Sequence, residues 1–510
     1  MFNDALKRGP SAGILPEENL SAQPAEIVGS EIDSPKARRS RFIWRLVGYA
    51  AGLVWMWYVS SEEFPLITGV AFLVFFDVLI SSVFRFGHSV GVAEIALLLA
   101  GVQWIVLAHY AYRYDSVFYF RYTMQIPEKE YYATVLPVYV GYVLGIRLVQ
   151  KPVLWERAED ERERDSFWNF IFVVSLLMYG ISFFSRSFVF VLGGILFILC
   201  WAIREYYLRT SWRKYLPLIC VVGNFLVISI RGGMFHSLLL CLLFIVLFVM
   251  YRQRTKPRYA CLILLSAVFA CIVLQIVKPE YRNQRRWSED TTLESTSLFV
   301  SLTSQRIQDI ISGDFDATQM AEQLLPRYNC GWIISHAVAY SDRYKIIFYG
   351  KTVFDSMLAI IFPRVLFSNK RMSGGVLNMA TMAGLQLNEN TSMNVTYVGE
   401  GYCNFGRFGA PLFLFALGVL LALLLNFTCW CQRRYGIGFF FIPAIFFYSV
   451  RAESDFLTGF NSPIKTLLMI AIYCCLFRLF HGMSLIPRKA RSSGISPSPN
   501  PVVHDSPPNR

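Results

Sequence analysis

The chain has 510 residues and is 55% hydrophobic and 16% aromatic but only 16% charged, too few charges to cover that much apolar surface, which excludes an ordinary soluble globular protein. Mean hydropathy is +0.43, and long apolar runs recur from Phe42 to Phe480, so the class is an all-α polytopic membrane protein. The formal net charge of +13 then reads as basic segments flanking membrane spans rather than as nucleic-acid binding.

Residues 1–41 are polar, lack an apolar stretch of signal-peptide type, and read as a disordered tail ending in the basic patch Lys36-Ala-Arg-Arg-Ser-Arg41. Residues 42–277 hold nine predicted spans of roughly 17–25 residues each. These are about 42–60, 64–84, 89–112, 131–149, 166–184, 187–203, two within 215–251, and 259–277. The 215–251 run is too long for one span and breaks at Arg231-Gly232-Gly233. A large polar segment, 278–408, follows, then three spans in 409–480 (about 409–430, 436–450 and 464–480), and a Ser- and Pro-rich tail, 481–510, that reads as disordered. The total is about twelve spans. With twelve, the basic clusters 36–41, 204–214, 252–258, 433–434 and 488–491 all fall on one side with both termini. That side is predicted to be cytoplasmic, which puts the 278–408 segment outside.

The chemistry-bearing residues concentrate on that outer side. Arg231 sits at a glycine turn immediately before the next helix, whose N-terminal amides point at the same place, a combination that suits a phosphate. The alternative is an interfacial arginine reaching lipid headgroups. Lys278-Pro-Glu-Tyr-Arg-Asn-Gln-Arg-Arg286 places cations just beyond the ninth span, with Arg282 foremost, for a diphosphate or for anionic lipid. Residues 296–325 carry a helical pattern with Leu298, Leu302, Ile307, Ile310 and Ile311 on one side, and Arg327 and His336 follow. His336 suits either a base or a packed ring. Segment 352–367 is apolar but interrupted at Pro363-Arg364, too short to span, so it is expected at the interface or as a re-entrant piece. The glycine-punctuated run 396–409 contains Tyr397, Glu400, Tyr402 and Asn404, a composition that suits sugar binding. Glu400 reads as a proton acceptor, a sugar ligand, or the partner of Arg407 or another loop arginine. Of eleven cysteines only Cys330 and Cys403 lie in the large segment, where a disulfide and two free thiols both stay open. No metal-ligand spacing and no nucleotide loop is present, so no metal and no cofactor are expected.

The string Tyr349-Gly350-Lys351, Phe362-Pro363-Arg364, Asn369-Lys370 and Gly399-Glu400-Gly-Tyr402-Cys-Asn404-Phe405-Gly406-Arg-Phe-Gly409 resembles the O-antigen polymerase (Wzy-type) family of oligosaccharide repeat-unit polymerases. Arg231-Gly232 near the outer end of a middle span, and Arg327 some twenty residues before the Tyr-Gly element, fit the same resemblance, which covers roughly 220–430. Where family members often carry Lys-Pro, this chain has Lys370-Arg371. The resemblance implies a fold like the polymerase and ligase glycosyltransferases of the GT-C type. It also implies metal-independent, inverting transfer between lipid-linked oligosaccharide units, a donor on undecaprenyl diphosphate and an acceptor repeat unit, at the outer face of the bacterial cytoplasmic membrane. Arg231, Arg327 and Arg364 would meet the diphosphate, with Arg282 and Lys370 in reserve. Glu400 and His336 are the catalytic acid–base candidates, and Tyr397, Tyr402 and Asn404 the sugar contacts. Membrane lipids, a flippase and a chain-length regulator are the expected partners. An O-antigen ligase, a lipid-linked-glycan flippase and a structural scaffold are the competing readings. The ionisable Arg45, Asp77, Glu94, His109 and His236 within the spans bear on the flippase.

Overall fold

The structure, a computed structural model, describes residues 35–59, 66–113, 122–151, 153, 161–185, 188–285, 292–313, 317–362, 371–372, 376–388, 391 and 393–481. Among these there is no β-strand beyond one isolated bridge, Phe86 with Ser89. The helices in chain order are α1 (Pro35–Val59), α2 (Leu66–Arg85), α3 (Val92–Arg113), α4 (Glu128–Val149), α5 (Glu161–Ser185), α6 (Phe188–Leu208), α7 (Leu216–Gly232), α8 (His236–Arg252) and α9 (Pro257–Arg285). The large segment contributes α10 (Thr292–Ser312), α11 (Ala317–Tyr328), α12 (Gly331–Tyr344), α13 (Lys351–Ile361) and α14 (Val376–Ala383). After it come α15 (Thr396–Tyr435), the short α16 (Ile442–Phe446) and α17 (Phe456–His481).

Eight helices among the described residues are long and apolar enough to cross a membrane: α2, α3, α4, α5, α7 with the turn before it, α9, α15 and α17. Two shorter apolar helices, Phe42–Val54 within α1 and α8, join them. The chain is an all-α polytopic membrane protein. Three boundaries differ from the sequence expectation. First, α9 runs to Arg285, carrying Lys278 and Arg282 on a helix rather than in a loop. Second, α15 begins at Thr396, so Tyr397, Glu400, Tyr402 and Asn404 are helical, and the chain kinks at Gly406, whose φ of 67° is left-handed. Third, the expected eleventh span is a 3₁₀ turn, Phe439–Phe441, and the five-residue α16, all buried.

Helix packing follows from small residues, because lipid tails leave apolar side chains little reason to prefer one another. The closest pair is α4 with α15. A Cβ at Gly145 would lie 2.2 Å from the Phe415 carbonyl oxygen, and one at Gly418 2.6 Å from that of Tyr142. Only hydrogen at these positions lets the two backbones touch. Ionisable groups in the first spans are paired. Asp77 accepts from Arg45 at 3.1 Å, Arg147 at 2.9 Å and Tyr49 at 3.0 Å, and Glu94 from Arg85 at 3.3 Å. His109 meets Glu128 at 3.0 Å. Arg204, expected in a cytoplasmic cluster, is instead buried on α6 between Asp165 and Glu205.

One local feature of α3 sets up the site. Residues Val102–Val106 widen into a π turn, which leaves backbone carbonyls short of helical donors. Tyr131 donates to the Trp104 carbonyl at 2.7 Å and Tyr132 to that of Ile105 at 2.7 Å, both from α4. The Cys330 amide donates to the Gln103 carbonyl at 3.2 Å, and the Trp104 indole donates to the Ala452 carbonyl at 3.2 Å. Two neighbouring residues of α3 therefore fasten two distant segments: the start of α12 and the link between α16 and α17.

Candidate functional site

Those two fastened segments carry charge. Arg327 lies three residues before Cys330, at the end of α11, and Arg451 and Glu453 flank Ala452. The charges of Arg451 and Arg327 act on Glu453, to which Arg451 also donates a hydrogen bond. Burial alone would raise the Glu453 carboxyl, yet these cations hold it down to about 2, so it is ionised at any physiological pH. Lys278 of α9 stands within electrostatic reach of Arg327, Arg282 and Glu453. His236, the first residue of α8, faces Arg451, Glu453, Arg327 and Lys278.

The glycine turn predicted at 231–233 closes this corner. Gly233 adopts φ 59° and ends α7 as a left-handed cap. Its carbonyl accepts from Arg282 Nε at 2.9 Å, while the hydroxyl of Tyr281 donates to the Ile230 carbonyl at 2.8 Å. Arg231 is exposed at the same helix end, where a cation is favoured by the carbonyl-rich terminus. The fold thus brings together Arg282 and Arg327 of the predicted set, sets the helix end that carries Arg231 beside Arg282, and adds Lys278, Arg451, Glu453 and His236. In the sequence, Arg451, Glu453 and Asp455 read only as a polar link. Their signal was three ionisable residues spaced by two between apolar segments.

Of the remaining predicted residues, those the structure describes lie elsewhere. Arg364 and Lys370 are outside the described residues. Glu400 and Asn404 are fully buried on the first turns of α15. Glu400 pairs with Arg371 at 2.7 Å, a loop arginine other than Arg407. Tyr397 is buried with its ring against Gly459, so it packs in the interior rather than forming an open platform. The Tyr402 hydroxyl donates to Asp342 at 2.9 Å. His336 is buried edge-on to Trp332, with ring centroids 6.0 Å apart, on α12. Cys330 and Cys403 are free thiols: Cys330 donates to Gln103 Oε1 at 3.1 Å, and Cys403 reaches the Met382 carbonyl at 3.4 Å. Burial pushes the Cys330 thiol well up, which makes it a poor nucleophile. The Tyr349-Gly350 element forms a left-handed turn with φ of 48° and 82° that starts α13, whose eleven residues are too few to span. No group of three or more His, Cys, Asp or Glu that could hold a metal ion occurs among the described residues.

What the corner can do follows from its charge. Lys278, Arg327 and Arg451 act on one carboxylate, Arg282 adds its charge beside Lys278 and Arg327, and three of these four are arginines, whose planar fork suits phosphate oxygens. No protein-family model matches the chain, and neither a curated protein nor a solved structure matches it.

Proposed function

We propose that this protein polymerises oligosaccharide repeat units carried on undecaprenyl diphosphate, at the outer face of a bacterial cytoplasmic membrane. The observation that carries this reading is the gathering of Lys278, Arg282, Arg327 and Arg451, with a single carboxylate, Glu453, acted on by three of them, at the ends of apolar helices. A lipid diphosphate brings its anion to that depth and no further. An acceptor hydroxyl attacks the anomeric carbon, the glycosidic bond to the diphosphate breaks, negative charge grows on the leaving oxygens, and the hydroxyl proton passes to the departing diphosphate or to water. Fixed cations aimed at that charge lower the barrier without needing a metal ion. Seating both glycans in one cleft supplies the proximity term. Asp77, Glu94 and His109 are each held in an ion pair or hydrogen bond, which favours this reading over a flippase that would move charge through the spans.

The test is alanine replacement of Arg231, Arg327 and Arg451 in cells that make the polysaccharide, with membrane levels of each variant checked. Single repeat units on the surface, in place of long chains, support polymerisation. Loss of all surface glycan with lipid-linked units outside supports a ligase, and their accumulation inside a flippase. Unchanged polysaccharide in all three variants overturns the arginine assignment.

A further inference from the structure

Glu400 is fully buried, and each of its oxygens is held by a different segment. Oε1 accepts from Arg371 Nη1 at 2.7 Å and from Thr352 Oγ1 at 3.2 Å. Oε2 accepts from the backbone N–H of Phe456 at 2.7 Å. Arg371 Nη1 also reaches the Thr352 carbonyl at 2.5 Å and Ser356 Oγ at 2.6 Å, both on α13. Asn404, one turn beyond Glu400, donates to Thr352 Oγ1 at 2.6 Å and to the Glu400 carbonyl at 2.8 Å. Next to Phe456, Asp455 caps α17 by accepting from the Thr458 N–H at 2.8 Å.

A general base must reach a substrate hydroxyl, directly or through one water. A carboxylate with no exposed surface and both oxygens engaged does not. It does grip the last residues of the 451–456 link, whose first residues are Arg451 and Glu453. The link's middle hangs on Trp104 through the Ala452 carbonyl. The position of Arg451 and Glu453 is therefore set from both sides.

We propose that Glu400 and Arg371 form a positioning pair that fixes the 451–456 link, and with it Arg451 and Glu453, in the cationic corner. Neither residue touches substrate. The inference rests on the reading of that corner as the diphosphate seat, but its geometric part stands alone. A buried ion pair that loses one member leaves an uncompensated charge, whereas a neutral hydrogen-bonding pair of similar size restores the balance.

The test uses the full chain in membranes and compares Glu400→Gln, Arg371→Gln and the double variant. Two readouts are taken: polymer made, and the rate at which a membrane-impermeant maleimide labels a cysteine placed by Glu453→Cys in each background. The parent lacking that cysteine supplies the baseline. Each single variant is expected to speed labelling and to lower polymer yield about tenfold or more. The double variant is expected to return both toward the unsubstituted protein, with an unchanged pH profile. Thr352→Val, which keeps the ion pair, gives an intermediate change and covers a single variant that fails to accumulate. A double variant with restored labelling but no polymer overturns the proposal and makes Glu400 chemically active. Labelling unchanged in every variant overturns it as well. Labelling that responds while polymer holds upholds the positioning and instead sinks the reading of the corner.

Discussion

Two charged regions of this protein, one buried and one partly exposed, meet along the 451–456 link, and they are built on opposite plans. Around Glu400 the carboxylates are held by fixed donors: Arg371 and the Phe456 amide for Glu400, and the Thr458 amide for one oxygen of Asp455. At the corner where α7, α8, α9 and α11 converge, Lys278, Arg327 and Arg451 act on Glu453, and Arg282 adds a further cation beside Lys278 and Arg327. A matched network stabilises a fold only if complete, and removing one member is costly. An unmatched cluster of like charge opposes folding, so its retention points to an anion that arrives from outside. Dense hydrogen bonding around a buried carboxylate on one side, and a surplus of cations on the other, separate the strut from the seat.

The sharpest way to break that comparison is to remove one arginine from each region. Arg371→Ala leaves Glu400 buried without its cation and is expected to destabilise by about 3–5 kcal/mol. The loss shows as a fall in the thermal midpoint of purified protein and in membrane level. Arg327→Ala is expected to do the reverse. Polymer formation drops about 10²–10³-fold, the cost of removing one preorganised charge from a transition state. Its thermal midpoint stays level or rises, because a repulsion has been relieved. If Arg327→Ala unfolds the protein as readily as Arg371→Ala does, the two regions are not different in kind.

How far these regions could be read from sequence depends on what makes each one. The glycine turn at 231–233, the short α13 and the pairing of Glu400 with a loop arginine are local or composition-driven, and the sequence carries them. The overrun of α9 is not legible in the same way. Hydropathy marks where lipid contact ends, near 277, and Pro279 reads as a helix stop, whereas the helix continues past it to Arg285. Arg451 and Glu453 stayed hidden because they lie more than a hundred residues from Arg327, and only the π turn of α3 brings the two segments side by side. Burial of Tyr397, Glu400 and Asn404 was masked by the glycines around them, which look like an exposed loop but serve close packing.

Glu453 sharpens the comparison from within the corner. Its carboxyl falls from an ordinary value of 4.5 to about 2, which corresponds to about 3 kcal/mol of stability. A depressed carboxyl contributes that stability above its unfolded value and loses it as pH falls through the folded one. The thermal midpoint should therefore drop as pH is lowered from about 5 toward 2, and Glu453→Gln should flatten that part of the curve. At neutral pH the same variant removes the corner's own anion. Its midpoint should be lower than that of the unsubstituted protein, and millimolar inorganic pyrophosphate should recover more of it than in the unsubstituted protein. Equal response of both proteins to pyrophosphate would mean that the cations do not share one anion seat.

The smallest effect is expected at an arginine of the same large segment that is already balanced. Arg306 on α10 donates to Glu280 at 2.7 Å and to Asp309 at 2.8 Å, and all three side chains are partly exposed. Pairs of this kind contribute roughly 0–1 kcal/mol, since solvent screens them and ordering long side chains opposes them. Arg306→Ala should lower the thermal midpoint slightly and leave polymer length and yield unchanged, although Arg306 lies on α10, packed directly against the helix that carries Lys278 and Arg282. If its loss suppressed polymer as strongly as loss of Arg327, total positive charge on this face would govern the reaction. An arginine's lack of a partner would then carry no information about function.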